Sequence, residues 1–382
     1  TVQPKSDAAV EGQCPTLTVE ATGAEPITYQ WRKNGVNLFD GAEFSGVNSD
    51  TLTILNFGED DQGKYDVAVS NPAGTAGSSA AVLSLTTGDI SDRLVSHWKL
   101  DESSGTSASN EVSGESAGQL NDFSGSGWES GQIDGALSMT LGPYVFVPDY
   151  TKATDALSVS FWMNMSEEPA ELFIMPFLYN WAVTDTGGDV PGQFRVRNNG
   201  TTLEASVRVG PNTVTATTDA SAISVGDWYH VAFVADGARL TLYLDGTAIN
   251  AVDYLGTVSA PPMDWMTWGI VPLEDGSPDL VDYLNSVLDD IGVWTRALSA
   301  REIEAIYDTG EAGNDLSQAS VEYPECEFGP LDISISLEDG NVVIEYTGTL
   351  VYSATVDGEY TVVEGATSPY AATEEGFYQA MQ

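Results

Sequence analysis

Basic side chains are scarce in this sequence. Thirteen Lys and Arg stand against 57 Asp and Glu, a formal charge of −44 at pH 7 over 382 residues, and no Lys or Arg follows Arg301. Nucleic-acid binding displaces counterions with a basic footprint, so that class is excluded. Anionic membrane surfaces are disfavoured by the same sign. No run of about 18 apolar residues occurs, which excludes membrane insertion by a helix. Histidine is limited to His97 and His230 and cysteine to Cys14 and Cys326. Two cysteines are too few for a disulfide scaffold. No G-x-S-x-G elbow, H-E-x-x-H helix or Walker-type phosphate loop is present.

What remains is ordinary globular material, with 42% apolar residues and 38 glycines. That composition suits folded domains and not an acidic disordered tail. The excess of carboxylates reads as adaptation to salty water, where salt screens their repulsion. The chain opens on Thr1 with no initiator Met and no leader, which reads as a mature or excised fragment.

The clearest local signal is Asp227 to Thr247, DWYHVAFVADGARLTLYLDGT. Trp228 to Ala235 reads as one strand, and Leu240, Leu242 and Leu244 alternate with Thr241 and Tyr243 along the next. Asp236-Gly237 and Asp245-Gly246 tolerate the positive φ of tight reversals. Short alternating runs with such punctuation recur throughout, so the expected fold class is all-β in three modules.

Residues 1–86 carry strands around Gln13–Ala21, Thr28–Lys33, Thr51–Leu55, Val67–Val69 and Ala80–Leu85. Trp31 on a central strand and the D-x-G-x-Y run Asp61–Tyr65 resemble the immunoglobulin fold, which implies a tyrosine-corner hydrogen bond at Tyr65. The positions of the intersheet disulfide read Val19 and Val67, so valines are expected to pack with Trp31, as in bacterial surface and secreted proteins. Cys14 lies five residues before Val19 and is not that core cysteine.

After the polar linker Thr86–Asp89, residues 94–313 hold HWKLDE, LSVSFWM, the hairpin above and LDDIGVWTRALSAREIEAIY in that order. The series resembles the laminin-G-like, concanavalin-type jelly roll of many bacterial secreted proteins. It implies two curved antiparallel sheets with the terminal strands close together. Arg296 to Thr309 is the one helix expected, with Ser299 as N-cap and Glu302 completing a capping box. Beyond the linker Ser317–Pro330, residues 331–382 alternate as ISISL, NVVIEY, YSATV, EYTVVEG and FYQAM, a small C-terminal β module.

Chemistry is harder to find. His97 and His230 sit inside strands with apolar neighbours and read as structural. No acid run of the form E-x-D-x-x-E occurs, and Asp289 and Asp290 are adjacent, which in a regular strand sends them to opposite faces. No catalytic residue is assigned. The resemblance implies a structural calcium where the first strand meets the last, and Asp101, Asn110 and Asp290 are its expected ligands with loop carbonyls. The competing reading has Asp101 capping its loop and Asp290 accepting from backbone amides. The loop Thr184–Asp189, TDTGGD, is a lesser cation candidate. Sugar rings stack on exposed aromatics, for which Trp181, Tyr254, and Trp265 with Trp268 are the loop-like candidates; in the alternative Trp268 opens a strand and Trp265 packs with Met263 and Met266 beneath a long loop. Cys14 and Cys326 are open to three readings: an intrachain bridge, a bond between molecules, or two free thiols.

The resulting expectation is a secreted or cell-surface, non-catalytic adhesion protein that recognises extracellular glycan or protein, with a calcium-stabilised jelly roll. A rival reading is a self-assembling subunit of an extracellular fibre or surface layer, with copies of itself as partners. A carbohydrate-active enzyme is the third.

Overall fold

The computed structural model describes residues 2–323, apart from 42, 126, 141, 168–173, 185–187, 201, 220–221 and 275–277, and beyond them the strands between 333 and 381. The protein is mostly β and resolves into two compact units. One comprises Thr1–Pro4, Ala9–Ser78 and Tyr323–Gln382, the other Lys5–Ala8 and Ser79–Glu322.

In the first unit, strands Thr16–Thr18, Thr51–Ile54 and Phe44–Ser45 form one sheet. Strands Val36–Asn37, Thr28–Lys33 and Gly63–Asn71 run side by side in another, with Gly74–Gly77 pairing onto Gly63–Asn71. Alternation sends Leu17, Leu52, Ile54, Trp31, Tyr65 and Val67 inward, each at 2% exposure or less, and Val19 is buried with them. The Trp31 indole donates to Ser49 O at 2.9 Å. Tyr65 Oη donates to Asp61 O at 2.6 Å, the tyrosine corner expected from the D-x-G-x-Y run. Valines occupy the place of the intersheet cystine, as expected. Cys14 is disulfide-bonded, and Cys326 lies outside the described residues. Further along, Ile333–Glu338, Asn341–Tyr346 and Tyr370–Ala371 form a three-stranded sheet; Thr361–Val362, Thr349–Ser353 and Phe377–Met381 form another.

The second unit is a jelly roll of two eight-stranded antiparallel sheets. The first runs Trp128–Ser130, Gly135–Met139, Ser286–Trp294, Leu157–Met165, Trp228–Ala235, Arg239–Leu244, Thr247–Asp253. The opening strand Leu94–Trp98 pairs with Ser286–Trp294, so the ends of the domain meet. The second sheet runs Ser107–Ala108, Gly118–Asn121, Tyr144–Val147, Met266–Trp268, Ile174–Val183, Asp189–Asn199, Thr202–Val209, Asn212–Thr217. Inward residues of both sheets make one core, including Trp98, Phe161, Phe194, Phe233, Leu242 and Trp268.

The first sheet is covered on both faces. Along Trp228–Ala235, Val231, Phe233 and Ala235 enter the main core, while Ala232 and Val234 join a second cluster with Trp294, Ile303 and Ile306. Period two in the strand thus meets the apolar stripe of the helix Ala300–Glu311. Burial on both faces makes Ser286–Trp294 a continuously buried strand. The helix starts where the sequence places its cap. Ser299 Oγ accepts from Glu302 N at 3.2 Å and Glu302 Oε2 from Ser299 N at 2.8 Å, closing the capping box. Arg296, expected inside the helix, precedes the cap and forms a bidentate pair with Glu302 at 2.7 and 3.0 Å. No helix among the described residues is long and apolar enough to cross a membrane.

Candidate functional site

The two sheets offer two groups of chemistry-bearing residues: an acidic corner beside the helix and an aromatic face on the second sheet.

The acidic corner lies where the first strand meets the last. Asp290 Oδ1 is 2.7 Å from His97 Nε2 and its Oδ2 accepts from Leu316 N at 2.9 Å. Asn110 Oδ1 accepts from the backbone of His97 and of Val112 at 3.1 and 3.0 Å. Asp101 Oδ1 accepts from Gly135 N at 2.8 Å. The expected calcium ligands are therefore engaged by N–H donors, one by one. No three of His, Cys, Asp and Glu among the described residues are gathered closely enough to hold a metal ion. Calcium wants six to eight oxygens, and each of these three residues has an oxygen already committed to an N–H donor. Asp185 of the lesser cation candidate lies outside the described residues.

One expectation is overturned at this corner. Asp289 and Asp290 do not point to opposite faces. Asp290 has φ 43°, and the ladder to Leu157–Met165 slips between Ser160 and Trp162, so the regular alternation is broken by a bulge. Asp289 stands opposite Trp162, whose ring stacks on Tyr307 of the helix, and Asp290 reaches Leu316 just beyond that helix. Both acids face the helix side. They are buried at 0% and 2% exposure. Burial pushes the Asp289 carboxyl up to about 8, with the Asp290 and Asp101 charges adding to the rise and the Ile133 amide opposing it.

His230 is structural in the same layer. Its Nε2 is 2.7 Å from Ser160 Oγ, and complete burial pushes its pKa down to about 3, so the ring is neutral.

The aromatic face is the outward side of the second sheet. One cross-strand row runs through seven strands in register: Gln119, Phe146, Thr267, Tyr179, Arg195, Ser206, Thr215. Thr267, Tyr179, Arg195 and Ser206 in the middle are buried, whereas Phe146 is half-buried and Gln119 exposed. Trp265, half-buried, packs on Phe146 with ring centroids 6.0 Å apart. The loop that carries Trp265 is pinned from below. Asn180 Nδ2 donates to Met263 O and Trp265 O at 3.0 and 2.6 Å. Lys152 Nζ donates to Pro261 O at 2.6 Å and Met263 O at 3.3 Å, and pairs with Asp264 at 2.6 Å. A platform held in this way loses little freedom when a ligand arrives.

The expected ligand aromatics separate. Trp265 is at the surface. Trp181 lies on the outward face of the same sheet, yet it is fully buried beneath the Arg195 guanidinium, 4.6 Å from its ring, and beside Tyr179 and Val271. Tyr254 belongs to the main core at 8% exposure, its Oη accepting from Gly237 N at 2.8 Å. Burial therefore corrects the expectation of stacking for Trp181, Tyr254 and Trp268, the last fully buried in the main core. Phe146 and Arg195 were missed. Their signal was available: Arg195 and Arg197 alternate with Phe194 and Val196 in a chain of few bases, and Phe146 alternates with Val145 and Val147.

Two families match the sequence. The immunoglobulin I-set domain covers residues 1–83, and the concanavalin A-like lectin/glucanases superfamily, Laminin_G_3, covers residues 139–304. No curated protein matches the chain. Among solved structures, domain 4 of AbnA, a GH43 extracellular arabinanase from Geobacillus stearothermophilus in complex with arabinotriose, is 16% identical. It covers 56% of this chain and 97% of that one, with a TM-score of 0.41. The Ruminococcus gnavus IT-sialidase CBM40 bound to α2,3-sialyllactose is 17% identical over 45% of this chain and 96% of that one, with a TM-score of 0.35. The tandem Ig repeats of Dlar are 29% identical over 22% of this chain and 46% of that one, with a TM-score of 0.22.

Proposed function

The chain carries an immunoglobulin I-set domain followed by a concanavalin A-like lectin/laminin-G jelly roll, and from that premise we propose that it is a non-catalytic extracellular adhesion protein whose jelly roll binds glycan. The observation that carries the reading is the Phe146–Trp265 pair. Two half-buried rings lie 6.0 Å apart on the outward side of the second sheet, Phe146 from the strand Tyr144–Val147 and Trp265 from the pinned loop. Sugar rings present flat apolar faces that stack on such surfaces, and the exposed Gln119 in the same row supplies hydrogen bonding for orientation. The match of residues 139–304 to the concanavalin A-like lectin/glucanases superfamily supports a carbohydrate ligand.

The non-catalytic reading draws support from Asp289 and Asp290, which at 0% and 2% exposure are hydrogen-bonded to Ile133 N, Leu316 N and His97 and not open to a substrate. An extracellular setting is supported by the disulfide at Cys14, since such bonds persist in oxidising compartments.

A glycan array probed with the wild-type chain and with Trp265→Ala tests the proposal. The expected result is a defined set of bound glycans that loses its signal in the variant. Silence across the array, or signals indifferent to both Trp265→Ala and Phe146→Ala, would rule the site out.

A further inference from the structure

Arg195 and Trp181 hold two buried donors with nothing to donate to. The guanidinium lies 4.6 Å over the indole, at 8% and 0% exposure, and neither Arg195 Nε nor Trp181 Nε1 has an acceptor. No other arginine nitrogen among the described residues is buried and unpartnered. Arg197, on the same face, donates its Nε to Glu204 Oε2 at 2.8 Å. Arg195 meets Asp189 through Nη1, at 3.2 Å, and the Asp189 side chain is 56% exposed. The Nε side of the planar fork is thus left without an acceptor, held rigid by an aromatic ring behind it. Folded proteins rarely leave a buried N–H unpaired, and each exception calls for an explanation, of which a bound water, ion or ligand is one.

We propose that Arg195, backed by Trp181, is a subsite for the carboxylate of an acidic sugar. The proposal rests on the glycan reading of the same sheet face and names its ligand class. A guanidinium fork presents parallel N–H donors that match the two oxygens of a carboxylate, whereas a hydroxyl engages one of them. Arg195, Arg197 and Arg208 bring three of the thirteen bases of the chain to the outward side of neighbouring strands, each alternating with core residues. The net charge of −44 repels an anion at long range. At a Debye length of about 8 Å in physiological salt, however, it is the charges of this face that decide.

Trigalacturonate and its methyl ester share one ring skeleton and differ in the free carboxylate, so calorimetric titration of the intact chain with both isolates the subsite. A parallel arm with N-acetylneuraminate separates the two common sources of a sugar carboxylate. The wild type should bind at least one free acid about tenfold more tightly than a matched ester. Arg195→Gln should abolish that preference, bringing acid affinity down to that of the ester, and Arg195→Lys should keep part of it, with melting temperature verifying that each variant folds. Trp265→Ala should weaken acid and ester alike. Equal affinity for acid and ester, a preference that survives Arg195→Gln, or binding of no acid at all overturns the subsite. In each case array signals that depend on Trp265 show whether the platform itself still stands.

Discussion

His97 Nε2 and Asp290 Oδ1 lie 2.7 Å apart, both at 2% exposure, and join the first strand of the jelly roll to its last. Asp290 also takes the amide of Leu316, so one carboxylate ties two strands and the segment after the helix. Removing the carboxylate leaves His97 and Leu316 N without that buried partner, at a cost of about 1–3 kcal/mol for each unsatisfied group. Asp290→Ala should therefore lower the denaturation midpoint of the jelly roll sharply. Because the expected calcium ligands are engaged by N–H donors, the loss should be the same in EDTA as in millimolar calcium. A loss that appears only with calcium present would show that the acid serves a metal.

Asp289 gives the corner a pH dependence with a definite sign. Its folded pKa of about 8 stands above the ordinary aspartate value, so the folded state holds a proton that the unfolded chain releases from about pH 4. The contribution is complete below pH 4 and declines as pH rises through 8. Each tenfold difference in proton affinity between the folded and unfolded chains is worth at most about 1.4 kcal/mol. Asp289→Asn keeps an oxygen for Ile133 N and cannot ionise. Between pH 5 and pH 8, urea denaturation should show a smaller loss of stability for the variant than for the wild type. Parallel losses would exclude Asp289 as the source.

Much of this architecture was legible because local rules hold there. The D-x-G-x-Y run marked the Tyr65 corner, Ser299 and Glu302 marked the helix start, and alternation in Trp228–Ala235 marked the strand that two layers share. What failed did so where a local rule is overridden. Adjacent aspartates separate in a regular strand, but the left-handed Asp290 bulge turns both to one side. Aromatics were sorted by their loop-like neighbours, while burial depends on what crosses above them. Trp181 is covered by Arg195, fourteen positions on, and no periodicity within its own segment announces that.

The Tyr65 corner can be tested by itself. Tyr65→Phe keeps the buried ring and removes only the donation to Asp61 O. The expected cost is about 1–2 kcal/mol, because the carbonyl left behind sits partly out of water. Hydrogen exchange of the Gly63–Asn71 amides under denaturant, which reports on the immunoglobulin-like sheet alone, measures it. Unchanged exchange would mean that packing of the ring alone holds the corner.

Trp265, Trp181 and Tyr254 should part company in a paired measurement of stability and binding. Trp265 is half-exposed on a loop held through its backbone, so Trp265→Ala should shift stability by under about 1 kcal/mol while removing glycan binding. Trp181 fills a buried site under Arg195, and Trp181→Ala should cost about 3–5 kcal/mol through the cavity it leaves. Tyr254→Phe removes the hydrogen bond from Gly237 N to Tyr254 Oη and should cost about 1 kcal/mol, with the glycan profile unchanged because the ring stays in the core. Melting curves and array profiles of the three variants, taken together, decide the matter. If Tyr254→Phe loses binding with Trp265→Ala retaining it, the ligand sits at the hairpin end of the first sheet, and the Phe146–Trp265 face is only a packed surface.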